Sequence, residues 1–115
     1  MNLWGVIHGI RTFLPIMLAH GEEGHVVSTA SIAGLLSGPF QIPYNVSKYV
    51  VAAISEGLHR ELALVGSKVK VSALCPGFVH TRITESERNR PAELPLSALG
   101  EVAMPALDRL FEYGE

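Results

Sequence analysis

The fold is decided by residues 25–75, in which two short strand patterns flank one long helical pattern. The strand patterns are HVVSTAS (25–31) and VKVSALC (69–75), both short and rich in β-branched residues, as is typical of buried strands. Between them, apolar residues recur every four positions and predict a helix over 44–65. The stripe is formed by Val46, Val50, Ile54, Leu58 and Leu62. A strand, a crossover helix and a second strand predict parallel strands in an α/β layer.

The segments outside this unit predict two more helices and two loops. Residues 3–19 carry apolar side chains at helical spacing, and Pro15 is expected to kink that helix. Residues 32–43 and 82–95 are punctuated by glycine or proline and are expected to be loops. A weaker apolar period predicts a last helix over 98–113. The resulting order is helix–strand–helix–strand–helix. Because two strands are too few for a buried parallel sheet, we expect part of a larger doubly wound α/β domain.

Composition restricts the classes of protein to which the chain can belong. Its 115 residues are 48% hydrophobic, which excludes intrinsic disorder and fits one domain or a piece of one. The formal net charge of −2 provides no basic field for nucleic acid or an anionic membrane surface.

The cysteine count and the amino terminus predict a cellular location. The single cysteine, Cys75, excludes an internal disulfide framework and fits a reducing compartment. No basic region precedes the first apolar stretch and no cleavage site follows it, so no signal peptide is expected. His8, Arg11 and Pro15 interrupt this stretch, so no membrane span is expected either. The sequence therefore predicts a cytoplasmic protein.

The candidate catalytic residues are Tyr44 and Lys48, together with Ser31 at the end of the first predicted strand. Side chains four apart on a helix lie on the same face. An ammonium close to a phenol favours the phenolate and lowers the pKa of the tyrosine, which is then able to exchange a proton with a substrate near neutral pH. Ser31 is placed to hold the same substrate oxygen, because open α/β sheets bind ligands at their strand ends. The alternative is an ordinary amphipathic helix whose lysine stem lies along apolar surface.

Four stretches together resemble the short-chain dehydrogenase/reductase family, in the order in which that family carries them. They are NLWGV (2–6), GHVVSTASIAG (24–34), YNVSK (44–48) and CPGFVHT (75–81). The resemblance implies a partial Rossmann-like fold with a doubly wound parallel sheet. It also implies hydride transfer between NAD or NADP and an alcohol/carbonyl pair.

The resemblance further implies roles for individual residues. Tyr44 would be the general acid/base, Ser31 would bind the substrate oxygen, and Lys48 would lower the pKa of the tyrosine and bind the nicotinamide ribose. Asn2 would help to order a water molecule in the proton relay. Besides Tyr44 and Lys48, the cofactor-binding residues would be Pro76, Gly77, Val79 and Thr81.

The sequence departs from the family in one respect. The family's first strand, Gly-x-x-x-Gly-x-Gly turn and helix, which bind the pyrophosphate, have no counterpart in these residues. Residues 1–115 therefore resemble the carboxyl-terminal part of a single NAD(P)-binding domain, with 82–97 expected as a substrate-side loop. The choice between NAD and NADP stays open. The two predicted helices that flank the first strand keep apolar outer faces. Resembling enzymes use such helices to form dimers or tetramers, so a homo-oligomer is expected.

Other chemistries have weaker support. The five histidines form no His-Glu-x-x-His pattern, so no metal site is expected. Ser31 lacks the Gly-x-Ser-x-Gly elbow of a serine hydrolase. Cys75 is expected to be a buried cysteine at a strand end rather than a reactive thiol.

Two functions remain open. In the first, the chain is the catalytic part of a dehydrogenase for a small alcohol or ketone, inactive without the half that binds the pyrophosphate. In the second, it is an inactive remnant that acts only as an interaction or oligomerisation module.

Overall fold

The computed structural model describes residues 2–79, 82–95, 100–103, 105–106 and 109. The chain divides into two compact units, Met1–Gly77 and Phe78–Glu115. The first unit contains both strands and both long helices, and it carries most of the predicted site.

In the first unit, helix α1 (Asn2–His20) leads into strand β1 (Gly24–Thr29). The helix continues through Pro15, which lacks the N–H needed for one internal hydrogen bond. The helix stops before Gly21, whose φ of 66° is a left-handed conformation that glycine adopts readily. The predicted range of 3–19 is correct to within one residue at each end.

Helix α2 (Ile42–Leu64) connects β1 to strand β2 (Val69–Leu74). The helix begins two residues before the predicted Tyr44. Pro43 is tolerated there because the first-turn N–H groups of a helix have no intrahelical partner. The segment predicted as a loop over 32–43 contains a short 3₁₀ helix, Ile32–Gly34.

The two strands pair in parallel, as predicted, with Gly24 opposite Val69 and Thr29 opposite Leu74. Both long helices pack on the same face of this sheet. The core residues there are Leu62, Val69 and Val71, and the half-buried side chains against them are Leu14, Met17, Val26 and Leu58. Of the α2 stripe, Leu62 is buried and Leu58 partly buried in this core.

The opposite face of the sheet is exposed in the described part of the chain. His25, Val27, Lys70 and Ser72 lie there, and Val27 is 59% exposed. A sheet covered on one face only agrees with the expectation that these two strands form part of a larger doubly wound domain, because both packed helices lie on one side. Cys75, predicted within the second strand, follows it and is half-buried rather than buried. The architecture is α/β and corresponds to part of a Rossmann-like parallel sheet.

The second unit contains the 3₁₀ helix Arg82–Asn89, where the sequence predicts a loop. Its backbone is interrupted at Glu85, whose carboxylate accepts a hydrogen bond from Arg82 at 2.6 Å. Arg88 donates from the same nitrogen to the carbonyl oxygens of Arg82 and Glu85, at 3.1 and 3.0 Å. These local contacts organise short turns that an irregular polar composition does not indicate. Helical backbone follows at 100–103, 105–106 and 109, and the rest of the predicted last helix lies outside the described residues.

Within the ranges that the structure describes, no helix combines the length and hydropathy needed to cross a bilayer.

Candidate active site

Tyr44 and Lys48 lie one turn apart near the start of α2. The Lys48 ammonium is 5.7 Å from the centroid of the Tyr44 ring, within the range of a cation–π contact. The same ammonium donates a hydrogen bond to the Thr29 carbonyl oxygen at 3.0 Å. This bond holds the lysine at the carboxyl end of β1, two residues before Ser31. The Tyr44 side chain is 37% exposed, so a ligand is able to reach it.

Ser31 lies directly beyond β1 and caps the 3₁₀ helix Ile32–Gly34. Its backbone is extended, with φ −172° and ψ 162°, and the 3₁₀ helix begins directly after it. Its Oγ accepts a hydrogen bond from the Ala33 N–H at 3.1 Å. Because a hydroxyl both donates and accepts, this cap orients Oγ while leaving its proton for another acceptor.

The loop that follows Ser31 is fastened to α2 at two further points. The side-chain amide of Asn45 donates to the carbonyl oxygens of Ala33 and Leu36, at 2.9 and 3.1 Å. Gly34 lies so close to α2 that a Cβ there would be 2.6 Å from the Lys48 carbonyl oxygen. Neither Asn45 nor Gly34 was predicted as a site residue. Asn45, beside Tyr44 in the sequence, was a possible signal, but its partners are known only from the fold.

The ends of the two strands are tied together next to Ser31. Beyond β1, the Ala30 N–H donates to the Leu74 carbonyl at 2.8 Å, and the Ile32 N–H donates to the Pro76 carbonyl at 2.9 Å. The Pro76-Gly77 pair therefore leaves β2 at the edge of the sheet where Ser31 lies. This brings two of the predicted cofactor-binding residues to the carboxyl ends of the strands, where open α/β sheets bind ligands.

The remaining predicted site residues are Asn2, Val79 and Thr81. Asn2 is the first residue of α1. Val79 belongs to the second unit and is 55% exposed. Thr81 lies outside the described residues. Among the residues that are described, no three His, Cys, Asp or Glu side chains converge as metal ligands would.

A separate apolar depression of about 260 Å³ lies along α2 and the loop before it. Its lining is Ser37, Gly38, Ile42, Asn45, Val46, Tyr49 and Val50. The depression is distinct from the candidate catalytic residues, because neither Ser31, Tyr44 nor Lys48 lines it.

The family assignment follows from a comparison with family models. The model of the short chain dehydrogenases matches residues 1–92. The chain belongs to the short-chain dehydrogenase/reductase family. The match covers the whole first unit and includes every predicted site residue.

Individual relatives agree with this assignment. The chain is 41% identical over 85 residues to an uncharacterized oxidoreductase of Staphylococcus saprophyticus, covering 74% of this chain and 34% of that protein. It is 32% identical over 116 residues to a C alpha-dehydrogenase of Sphingobium, covering 99% of this chain and 37% of that protein.

Among solved structures, a short-chain dehydrogenase/reductase from Burkholderia phymatum in complex with NAD is similar to this chain. The TM-score is 0.86 at 42% identity, covering 99% of this chain and 42% of that one. A short-chain dehydrogenase from Burkholderia cenocepacia in complex with NADP gives a TM-score of 0.61 at 28% identity, covering 99% and 44%. The chain thus spans from about a third to less than half of the length of these relatives.

Proposed function

We propose that this chain forms the catalytic part of an NAD(P)-dependent oxidoreductase that interconverts a small alcohol and its ketone or aldehyde. The single observation that carries the proposal is the Lys48 ammonium, held between the Tyr44 ring and the end of β1. The family assignment and the names of the relatives, which are oxidoreductases and dehydrogenases, support the same reaction class.

A nicotinamide cofactor, when bound, supplies or accepts the hydride. Tyr44 handles the proton. In the reductive direction its phenol would donate a proton to the carbonyl oxygen of the substrate, and in the oxidative direction its phenolate would accept the proton of the hydroxyl group. General acid–base catalysis of this kind contributes roughly 10²- to 10⁴-fold in rate.

Lys48 and Ser31 support this proton transfer in different ways. The Lys48 ammonium stabilises the negative charge that develops on the phenol oxygen. Ser31, oriented by its cap on Ala33, donates to the substrate oxygen and fixes its position. Asn2, at the start of α1, is proposed to order a water molecule that returns protons to the site.

The residues present fit the nicotinamide end of the cofactor. The Lys48 ammonium has three donors, of which Thr29 takes one, so two remain for the hydroxyl groups of a ribose. Pro76, Gly77, Val79 and Thr81 are proposed to contact the nicotinamide. The glycine-rich turn that would hold the pyrophosphate does not occur in these residues. We therefore leave the choice between NAD and NADP open.

The test is a chimaeric enzyme in which this chain replaces the matched segment of the Burkholderia phymatum dehydrogenase. We expect NAD(P)H-dependent reduction of carbonyl compounds that the parent enzyme reduces. We expect the Tyr44→Phe variant to lose activity by about 100-fold or more while it binds the cofactor as before. An inactive chimaera that still binds cofactor, or a fully active Tyr44→Phe variant, would contradict the proposal.

A second role, oligomerisation, is favoured by the exposed apolar side chains of both long helices. Trp4, Phe13 and Ile16 on α1 are 62%, 64% and 51% exposed, and Val46 on α2 is 56% exposed. Large exposed apolar surfaces mark association sites. We propose that these helix faces form a homo-oligomeric interface, in a protein that acts in the cytoplasm.

A further inference from the structure

Asn45 is the buried polar side chain of α2 that reaches out of the helix to another segment. It is only 4% exposed and follows Tyr44 directly. Its two partners, the carbonyl oxygens of Ala33 and Leu36, can only accept hydrogen bonds. The group that faces them is therefore the amide NH₂.

The other end of the same side chain has no partner among the described residues. The Asn45 Oδ1 atom is buried and receives no hydrogen bond. An unpaired buried acceptor is unfavourable, and an apolar residue at this position would avoid that cost. The two donated bonds thus identify what the asparagine contributes: it fastens the 33–36 segment to the first turn of α2.

This fastening connects two parts of the proposed site. Ser31 caps the 3₁₀ helix through Ala33, and Asn45 holds the carbonyl of that same Ala33. Tyr44 precedes Asn45 on the rigid helix. The position of Ser31 relative to Tyr44 is therefore set by a short chain of contacts from Ser31 to Ala33, Asn45 and Tyr44.

We propose that Asn45 is a positioning residue, which sets the Ser31 hydroxyl against the Tyr44 phenol for the reaction. The inference rests on the proposed function of Ser31 and Tyr44. Asn45 does not touch the substrate and acts only through the segment that carries Ser31. Displacement of a reacting group by about 1 Å costs up to roughly 10²-fold in rate, so a loosened Ser31 segment lowers kcat.

The test is a double-mutant cycle in the chimaeric enzyme. We expect Asn45→Ala to lower kcat by roughly 10- to 100-fold and to leave the Kd of NADH almost unchanged. In a Ser31→Ala background, we expect the same substitution to lower kcat by less than about twofold, because the residue through which Asn45 acts is already absent. Asn45→Ser, which keeps one donor, is expected to be intermediate.

The matched control is Ser55→Ala. Ser55 is also buried on α2, at 3% exposure, but its hydroxyl donates within the helix, to the Val51 carbonyl. Its removal tests the general effect of losing a buried hydrogen bond of α2, and we expect an unchanged kcat. Thermal unfolding of all variants shows whether the losses in stability are comparable.

Three outcomes would overturn the inference. In the first, Asn45→Ala has the same kcat as Ser55→Ala. In the second, Asn45→Ala lowers kcat by the same factor with and without the Ser31 hydroxyl. In the third, Asn45→Ala changes only the Kd of NADH. Tyr44→Phe separates this inference from the proposed function. If Tyr44→Phe is fully active, the proposed function fails. If Tyr44→Phe is inactive while Asn45→Ala is fully active, only the role of Asn45 fails.

Discussion

Lys48 makes contacts in two directions with one ammonium group. It lies against the Tyr44 ring and donates to the Thr29 carbonyl, so it is fixed at the end of β1 rather than extended into solvent. A surface lysine whose stem only covers apolar residues does not require this bond to the strand end. The geometry therefore favours the functional interpretation of the Tyr44–Lys48 spacing over the structural one.

Removal of this ammonium is expected to weaken both of its proposed roles. In the chimaeric enzyme, Lys48→Ala should raise the Kd of NADH by roughly 10-fold or more, because charge-assisted hydrogen bonds to the ribose are lost. It should also lower kcat. NADH fluorescence titration and steady-state kinetics measure the two effects separately.

Lys68→Ala is the control for Lys48→Ala. Lys68 is exposed just before β2, at the opposite end of the strands from the site. We expect it to change neither quantity. An effect of Lys48→Ala on kcat alone, with the Kd of NADH unchanged, would exclude the proposed contact with the ribose.

The close contact between the 3₁₀ helix and α2 depends on a glycine. A methyl group at position 34 would lie 2.6 Å from the Lys48 carbonyl oxygen, which is backbone and unable to turn away. Gly34→Ala should therefore reduce the free energy of unfolding by about 1–3 kcal/mol, as overpacking of an interior does. It should also lower kcat, because the loop that carries Ser31 must move.

Gly38→Ala provides the comparison for Gly34→Ala. Gly38 belongs to the same loop, but a Cβ there meets nothing within 4 Å. We expect its free energy of unfolding to stay the same or to rise slightly, since alanine restricts the unfolded chain. Urea denaturation of the two variants in the chimaeric enzyme decides the question. Equal stability of the two variants would contradict the close packing at position 34.

At the scale of elements, regular patterns were the ones that the sequence predicted well. The four-residue stripe of α2 and the β-branched runs of both strands determine their own structure locally. The 3₁₀ helix Ile32–Gly34 was missed because its contacts with α2 are long-range: Asn45, which binds the Ala33 carbonyl, follows Ala33 by 12 positions. The turns over Arg82–Asn89 were missed because ion pairs at Glu85, rather than apolar periodicity, organise them.

In the site, too, local features were predictable and contacts between distant residues were not. The Tyr44–Lys48 pair was predictable because helical spacing alone brings the two side chains together. The attachment of Lys48 to Thr29 was not predictable, because it joins residues 19 positions apart in different elements.

At the scale of the whole molecule, the proposed site includes residues for the nicotinamide end of the cofactor, but these 115 residues contain no glycine-rich turn for the pyrophosphate. We therefore expect the chain alone neither to bind NADH measurably nor to turn it over. Fluorescence titration of the purified chain with NADH, and an assay against a panel of ketones, measure both. Reduction of any ketone by the chain alone, lost in Tyr44→Phe, would contradict this prediction.

The most direct test of the account follows the hydride and the proton separately in the chimaeric enzyme. The cofactor is NADH with deuterium at the transferable position, and the substrate is a ketone that the parent enzyme reduces. We expect deuterium on the carbinol carbon of the product. We also expect a rate about 100-fold or more lower in Tyr44→Phe, with the Kd of NADH changed by less than about twofold. A product without deuterium, or equal rates with and without the Tyr44 hydroxyl, would contradict it.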